Sequence, residues 1–244
     1  MMQLALPDKA KRPQFWAGFS VFVAVLIGLG WLYSSISRWL EDEQRVPVQE
    51  IIVSGERRYL DDELVKNIIR RSQPGSFFEL DVNEALNAVE GLAWVHKASI
   101  RKEWPARLKV YVIEQQPVAH WNDDMLLNPR GVLFSADKQG AALTLPHLFG
   151  PGGSELTALQ GFYDMQGLLN ASGLVIEELQ LSERYAWQLR LSNGVRLNIG
   201  RQEFTDRVQR FVDLYPLLMQ DGRQLDYVDL RYDTGMAVGW KSES

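Results

Sequence analysis

The sequence predicts an α+β protein, with a single N-terminal transmembrane helix, a small β-α-α-β-β domain, and then a β-rich domain with flanking helices. Three observations predict this class. An apolar, uncharged run occupies residues 15–37. Residues 48–115 alternate between β-branched runs and amphipathic helical patterns. Residues 116–240 consist mostly of short segments in which polar and apolar residues alternate, a pattern that favours β-strands.

The apolar run is long enough to cross a bilayer. No charged residue lies between Arg12 and Arg38. The helical stretch from Phe15 to Ile36 spans roughly 33 Å, close to the hydrocarbon thickness of about 30 Å. A cleaved signal peptide is the alternative, but its apolar core has only about 7–15 residues and precedes a small-residue cleavage site. This run is longer and ends in "WLYSSISRWL", so we interpret it as an uncleaved anchor.

The residues that flank the anchor indicate its orientation. The predicted tail, residues 1–14, has Lys9, Lys11 and Arg12 against a single Asp8. Basic flanks remain in the cytoplasm. We therefore expect residues 1–14 inside the cell, a juxtamembrane linker at residues 38–47, and the main body of the chain on the other side of the membrane.

Composition excludes several classes of function. The net charge of −5 and the lack of a basic cluster beyond the N-terminal tail argue against a nucleic-acid binder. The chain has no cysteine, which excludes disulfides, thiolate catalysis and cysteine-based metal sites. About 200 residues follow the anchor, enough for one large or two small domains.

The first predicted domain, residues 48–115, has one strand, then two helices, then two strands. The strand "VQEIIVSG" stops at Gly55, and the strands "WVHKASIR" and "LKVYVIE" close the domain. The first helix, "LDDELVKNIIRR", places on one face Leu64, Val65, Ile68 and Ile69. The second helix begins at Asp81, and Glu84 is expected to reach back to it in a capping box.

The second predicted domain, residues 116–240, contains turns, two helices and two hairpins. The string "NPRG" at 128–131 predicts a type I turn, "LPHLFGPGGSE" a loop, and "LTALQGFYDMQGLLNASG" a helix. A second helix has an apolar stripe before Pro216, which is expected to bend or end it; the stripe comprises Phe204, Val208, Phe211 and Tyr215. Two hairpin sheets with these helices packed on them account for the domain.

The register of each hairpin follows from keeping apolar residues on one face. In "WQLRLSNGVRLNI", a three-residue loop from Ser192 to Gly194 pairs Leu191 with Val195. In the last segment, a loop of residues 233–235 is expected to make three pairs, which are Tyr232 with Met236, Leu230 with Val238, and Val228 with Trp240.

Signatures of catalysis and of cofactor binding are missing from the sequence. His96, His120 and His147 lie far apart without metal-ligand spacing. The Gly-rich "GPGGSE" lacks the Lys and Ser/Thr of a phosphate-binding loop, and no G-x-S-x-G occurs. We therefore expect no catalytic site, no cofactor and no bound metal.

The order of these segments, and several strings in them, resemble the FtsQ/DivIB bacterial division proteins, in the form found in gammaproteobacteria. The strings are "VSGERRYL", "GSFFELDV", "WVHKASIRKEWPARLKVYVIEQQPVAHW", "LPHLFGP", "RFVDLYPLL" and "YVDLRYDTGMAVGW". The resemblance identifies residues 48–115 as a POTRA-type domain and residues 116–240 as the family's β domain, followed by a short tail at 241–244. Asn128 and Pro129 depart from an aspartate common at this turn.

The resemblance implies a non-enzymatic divisome scaffold of the cell inner membrane, with its body in the periplasm and enrichment at the septum. Such a protein binds FtsB and FtsL and links them to FtsK, FtsW and FtsI types of division protein, helping to control septal peptidoglycan synthesis. The partner-binding positions that the resemblance implies are Arg231, Tyr232, Thr234, Gly235 and Trp240.

Two alternatives remain open at the level of sequence. Tyr232 and Trp240 alternate with hydrophobic residues, so either could be a buried core residue instead of part of a partner surface. A POTRA-type unit could also be a docking module for protein translocation or envelope assembly. Such proteins usually include a membrane β-barrel, and the short strands of residues 116–240 do not predict one.

Overall fold

The computed structural model describes residues 13–41, 47–135, 144–220 and 222–241. Helix α1 spans Pro13–Glu41, and its segment Trp16–Arg38 is long and apolar enough to cross a membrane, with a mean hydropathy of 1.9. The predicted cytoplasmic tail up to residue 12, the linker residues 42–46 and the C-terminal residues 242–244 lie outside the described residues. The predicted orientation of α1 stays a prediction.

The chain forms two compact units. Among the described residues, the first unit comprises those up to residue 92 and those at 97–113, and the second comprises 93–96 and those from residue 114 onwards. Ala93–His96 therefore belong with the second unit, although residues 94–96 begin the string "WVHKASIR", which predicts a strand of the first domain.

The globular part of the first unit has the predicted β-α-α-β-β order. Its elements are β1 (Glu50–Ser54), α2 (Asp62–Ser72), α3 (Val82–Glu90), β2 (Val95–Glu103) and β3 (Arg107–Glu114). The strand order is β1-β3-β2, and β1 runs parallel to β3. The predicted apolar face of α2 is partly wrong, because Val65 and Ile69 are buried whereas Leu64 is exposed.

Side chains cap the N-termini of α2 and α3, but one predicted contact at α3 is wrong. Asp81 Oδ1 accepts hydrogen bonds from the backbone N–H groups of Asn83 (2.7 Å) and Glu84 (3.4 Å). Glu84 does not reach back to Asp81. Gln73 instead accepts from the Asp81 backbone N–H at 2.9 Å and donates to Glu84 at 2.6 Å. The amide of Gln73 satisfies both groups at once, and so replaces the capping box.

The second unit is built on one nine-stranded sheet. Its strands are β4 (Ala119–Trp121), β5 (Met125–Leu127), β6 (Leu133–Phe134), β7 (His147–Phe149), β8 (Ile176–Leu181), β9 (Trp187–Leu191), β10 (Arg196–Gly200), β11 (Leu225–Asp229) and β12 (Ala237–Trp240). The order across the sheet is β12-β11-β10-β9-β8-β7-β4-β5-β6. The expectation of two sheets is wrong, because β10 and β11 pair in parallel and join the two hairpins.

The predicted loop "LPHLFGPGGSE" contains a strand of this sheet. β7 lies between β4 and β8, parallel to both, and Leu148 is fully buried. The strand has only three residues and is bounded by Pro146 and Gly150. Proline and glycine at both ends of so short an apolar run are turn signals, which is why its periodicity could not identify it.

The predicted turn at 128–131 is present. The Gly131 N–H donates to the Asn128 carbonyl at 3.0 Å, and β5 pairs with β6 in antiparallel fashion on either side. Asn128 Oδ1 also accepts from the N–H groups of Arg130 (2.9 Å) and Val132 (3.0 Å). Asn128 thereby supplies the side-chain oxygen that an aspartate would supply at a turn.

The register of the first hairpin is as predicted. The Leu191 N–H donates to the Val195 carbonyl at 2.9 Å, and Gly194 has a φ of +86°. The predicted register of the second hairpin is wrong by two residues, because Val228 pairs with Val238 and not with Trp240. Trp240 pairs with Leu225, beyond an irregularity in β11 between Leu225 and Tyr227. A shift of two preserves the alternation of faces, so the apolar pattern alone could not distinguish these registers.

Helices α4 (Glu155–Leu169) and α5 (Phe204–Met219) contribute buried faces to the core. Pro216 lies inside α5, so it does not end the helix; that it bends the helix stays a prediction. The side chains that join α4, α5 and the sheet in one cluster include Leu148, Leu159, Met165, Leu179, Leu189, Leu197, Phe211 and Val228.

Gly161 of α4 allows an aromatic ring to approach the helix backbone. A Cβ at Gly161 would lie 2.5 Å from Cη2 of Trp187, a residue that is buried in the core and tilted against Phe204 at 5.2 Å. Gly167 in the same helix has open space at the corresponding position.

We expect Gly161→Ala to lower the free energy of unfolding by about 1–3 kcal/mol, because the new methyl group overpacks the core against Trp187. Gly167→Ala is the matched control and should raise it by about 0.5–1 kcal/mol, because alanine is the better helix former. Denaturant unfolding of the chain in detergent would measure both. Equal effects of the two substitutions would contradict the proposed packing.

Candidate functional site

Strand β12 lies at one end of the nine-stranded sheet. It pairs with β11 and has no second neighbour among the described residues. One face of β12 is covered, because the side chains of Met236, Val238 and Trp240 are partly buried against the core. On the opposite face, the ring of Tyr227 covers Gly239. The outer edge of β12 therefore presents backbone N–H and C=O groups that no strand of this chain pairs with in the part that the structure describes.

The loop between β11 and β12 comprises residues 230–236. It begins where the Leu230 N–H donates to the Asn198 carbonyl of β10 at 2.8 Å. Arg210 of α5 then fixes the loop, because its Nη1 donates to the carbonyl of Tyr232 at 2.8 Å and to that of Gly235 at 3.0 Å. One guanidinium thus determines the path of the loop that precedes the edge strand.

An ion pair stabilises the start of the same loop. The Arg231 guanidinium donates to both carboxylate oxygens of Asp229, from Nη2 to Oδ2 at 2.6 Å and from Nε to Oδ1 at 2.9 Å. The Arg231 backbone N–H also donates to Asp229 Oδ1 at 3.1 Å. These hydrogen bonds hold the pKa of the Asp229 carboxyl below its usual value, against the opposing effect of burial. Arg207, which is buried, adds a smaller electrostatic contribution.

The five positions that were predicted from the sequence to bind a partner all lie on the loop and on β12, but they differ in exposure. Tyr232 is 57% exposed and the Arg231 side chain is 66% exposed, and Thr234 is exposed as well. Tyr232 is therefore not a core residue. Trp240 is partly buried against the core, and the Arg223 guanidinium lies 4.3 Å from the centre of its ring.

Sequence reasoning missed the residues that position this surface. Arg210 and Arg207 lie on α5, where basic residues of a helix are ordinarily read as solvent-exposed. Arg207 Nη1 donates to the Ile199 carbonyl at 2.8 Å, next to the site where Arg231 approaches Gly200. The sequence does contain one indication that Arg207 is buried, because Arg207 lies between Phe204 and Phe211 on the apolar stripe of α5.

The histidines lie elsewhere in the second unit. His120 and His147 are far apart in the sequence, yet the parallel pairing of β4 and β7 stacks their rings with centroids 4.5 Å apart. His96 Nε2 lies 2.9 Å from Nη1 of Arg130. Within the described ranges, no group of three or more His, Cys, Asp or Glu residues could hold a metal ion.

The lowered pKa of Asp229 predicts a pH dependence of stability. The ordinary Asp pKa is about 3.9, so the contribution of the ionised carboxylate is fully present above about pH 4 and is lost as the pH falls through the lowered folded-state pKa. We expect Asp229→Asn to lower the thermal midpoint at neutral pH, with a gap from the wild-type chain that narrows below about pH 4.

The matched control is Asp226→Asn, which removes the more exposed carboxylate that pairs with Arg196 at 2.8 Å. It should change the midpoint less at neutral pH, because exposed ion pairs contribute little. A gap for Asp229→Asn that is constant between neutral and acidic pH would show that its carboxylate charge does not stabilise the fold.

Comparison with known proteins identifies both folded units. The family model of the POTRA domain, FtsQ-type, matches residues 46–115, and that of the cell division protein FtsQ/DivIB, C-terminal, matches residues 119–231. The second match ends just before Tyr232, so most of the candidate surface follows the matched segment.

Curated relatives extend the similarity over almost the whole chain. The chain is 40% identical to the cell division protein FtsQ of Vibrio cholerae over 236 residues, which cover 96% of this chain and 90% of the relative. It is 39% identical to that of Escherichia coli over 228 residues (91% and 81%) and 38% identical to that of Shewanella oneidensis over 229 residues (92% and 86%). With an N-terminal apolar helix, a POTRA domain and a β-rich unit in the same order, the chain belongs to the FtsQ/DivIB family of cell division proteins.

Proposed function

We propose that the chain is a non-enzymatic divisome scaffold that binds FtsB- and FtsL-like bitopic proteins through β12 and the loop of residues 230–236. In this role it links early and late division proteins and helps to control septal peptidoglycan synthesis. The observation that supports the proposal is the position of β12 at the end of the sheet, beside the exposed Arg231 and Tyr232. The names of the curated relatives favour division over the alternative of a translocation module.

The physical basis of binding is strand addition. An extended segment of a partner can pair with the outer edge of β12, where main-chain hydrogen bonds set the register and neighbouring side chains provide specificity. Tyrosine and arginine are enriched among residues that dominate binding energies. Tyr232, Arg231 and Thr234 are exposed beside this edge and would contact the side chains of the added segment.

The loop is held in place before a partner arrives. Its contacts with Arg210 and the ion pair between Arg231 and Asp229 fix the backbone on both sides of Tyr232. A surface that is already ordered loses less conformational entropy on binding. Trp240 would contribute to binding mainly by holding β12 in place, because its ring packs against the core and against Arg223.

The cellular setting of the proposal follows from α1 and the basic tail. We propose that the chain crosses the inner membrane once, with its N-terminus in the cytoplasm and both folded units in the periplasm, enriched at the division septum. There it would act between FtsK-type proteins and the septal synthases of FtsW and FtsI types. The exposed apolar helix and Lys9, Lys11 and Arg12 before it support this orientation.

We expect Tyr232→Ala to weaken binding of the periplasmic part of an FtsB-like partner about 30-fold, which corresponds to the ~2 kcal/mol typical of a central interface residue. The measurement is calorimetric or interferometric binding to the full chain in lipid nanodiscs. The physical reason is the loss of a large exposed ring beside the edge strand.

Tyr163→Ala is the matched control, because Tyr163 is a similarly exposed tyrosine on α4, away from the edge. It should leave the affinity unchanged. Equal weakening by both substitutions, or none with Tyr232→Ala, would place the binding surface elsewhere. No binding by the wild-type chain would contradict the proposed partner class.

A further inference from the structure

One end of the globular part of the first unit bears two exposed aromatic side chains. Trp104, in the hairpin between β2 and β3, is 79% exposed, and Phe78, in the connection between α2 and α3, is 46% exposed. The two lie at the same end because Lys102, at the end of β2, donates from Nζ to the Phe78 carbonyl at 3.1 Å. Phe77 is buried below, with Lys102 Nζ 5.4 Å from its ring centre, so Phe78 projects from a fixed loop.

This end is also where the chain arrives from α1. β1 runs parallel to β3, with Glu50 opposite Arg107, and the Gln49 N–H donates to the Ala106 carbonyl at 2.9 Å. The hairpin that contains Trp104 therefore lies beside the first residues of β1. Gln49 follows the last residue of α1, Glu41, by eight residues, which extend at most about 28 Å.

The hairpin between β2 and β3 bears more basic than acidic residues. Arg101, Lys102, Arg107 and Lys109 surround the hairpin, and Glu103 is the acidic residue among them, paired with Lys109 at 2.8 Å. On the neighbouring elements, Glu50 begins β1, and Glu79 and Asp81 lie in the connection before α3. Lys and Arg are attracted to anionic headgroups, and tryptophan favours the boundary between water and hydrocarbon.

We propose that Trp104 and Phe78, together with the basic side chains of the hairpin, form a docking surface for the lipid headgroup layer of the membrane that α1 crosses. The inference rests on the proposed crossing of that membrane by α1. Because α1 already tethers the unit, the contact is intramolecular, and a short tether corresponds to a local concentration of about millimolar. A weak affinity of the surface is then enough to hold this end of the unit on the bilayer and to limit the orientations that the unit can adopt.

Because the chain has no cysteine, a single introduced cysteine can be labelled at one chosen position. The full chain with Phe78→Cys, labelled with a nitroxide, is placed in nanodiscs of phosphatidylethanolamine and phosphatidylglycerol. Collisions of the label with oxygen report lipid contact, and collisions with a water-soluble nickel chelate report exposure to water. The matched control is Glu56→Cys, an exposed site beyond the other end of β1.

The proposal predicts lipid contact for the label at position 78 and water exposure for the label at position 56. Trp104→Ala, added to Phe78→Cys, should move the label at position 78 into water. Arg101→Ala should shift the equilibrium away from the lipid about fivefold, the equivalent of ~1 kcal/mol for one basic residue at an anionic surface. Trp104→Cys, with Phe78 retained, gives a second probe whose label should also contact lipid.

Labels at positions 78 and 104 that are as exposed to water as the label at position 56 would overturn the docking surface and leave the anchor intact. Labels shielded from both oxygen and nickel would indicate that a protein covers this end, and would also overturn it. A chain that does not remain with the discs would contradict the membrane anchor itself, and the docking surface with it.

Discussion

The parallel pairing of β11 with β10 is the constraint on which the candidate surface depends. Parallel neighbours need a crossover, and α5 provides it by packing its buried face on the sheet between the two strands. Once β11 is fixed in this way, the chain that follows can only add a strand beyond it, so β12 lies at the end of the sheet. The same helix supplies Arg210, which holds the loop of residues 230–236. Helix α5 therefore determines both the order of the last strands in the sheet and the position of the loop beside β12.

The outer edge of β12 is both a risk of aggregation and a candidate binding site. An unpaired edge is a template for other chains, and proteins usually blunt such edges. Here the strand has four residues and its face towards the core is only partly covered, so the unit presents a short and well-defined template. The ordered loop, the exposed Tyr232 and the salt-bridged Arg231 restrict what can pair with it. This combination supports the proposal that β12 binds a partner protein.

Much of the local structure could be predicted from the sequence, and the failures have identifiable physical causes. The hairpin at Ser192–Gly194 was predictable because its three-residue loop is the length that keeps apolar residues paired. The register at β12 was not, because a shift of two leaves the pattern of faces unchanged. β7 could not be predicted, because it has only three residues and is flanked by the turn-forming residues Pro146 and Gly150. The role of Arg210 depends on two backbone carbonyls more than twenty residues away, which no local pattern encodes.

We propose that a partner extends the sheet at β12. The most direct test is hydrogen exchange of the backbone amides of residues 236–240 in the full chain, with and without the periplasmic part of an FtsB-like protein. Strand addition predicts that the amides of β12 that face outwards become strongly protected, while those of β6 at the opposite end of the sheet do not change. Binding that leaves the exchange of β12 unaltered would contradict strand addition, because it would show that the partner is held without pairing to the edge.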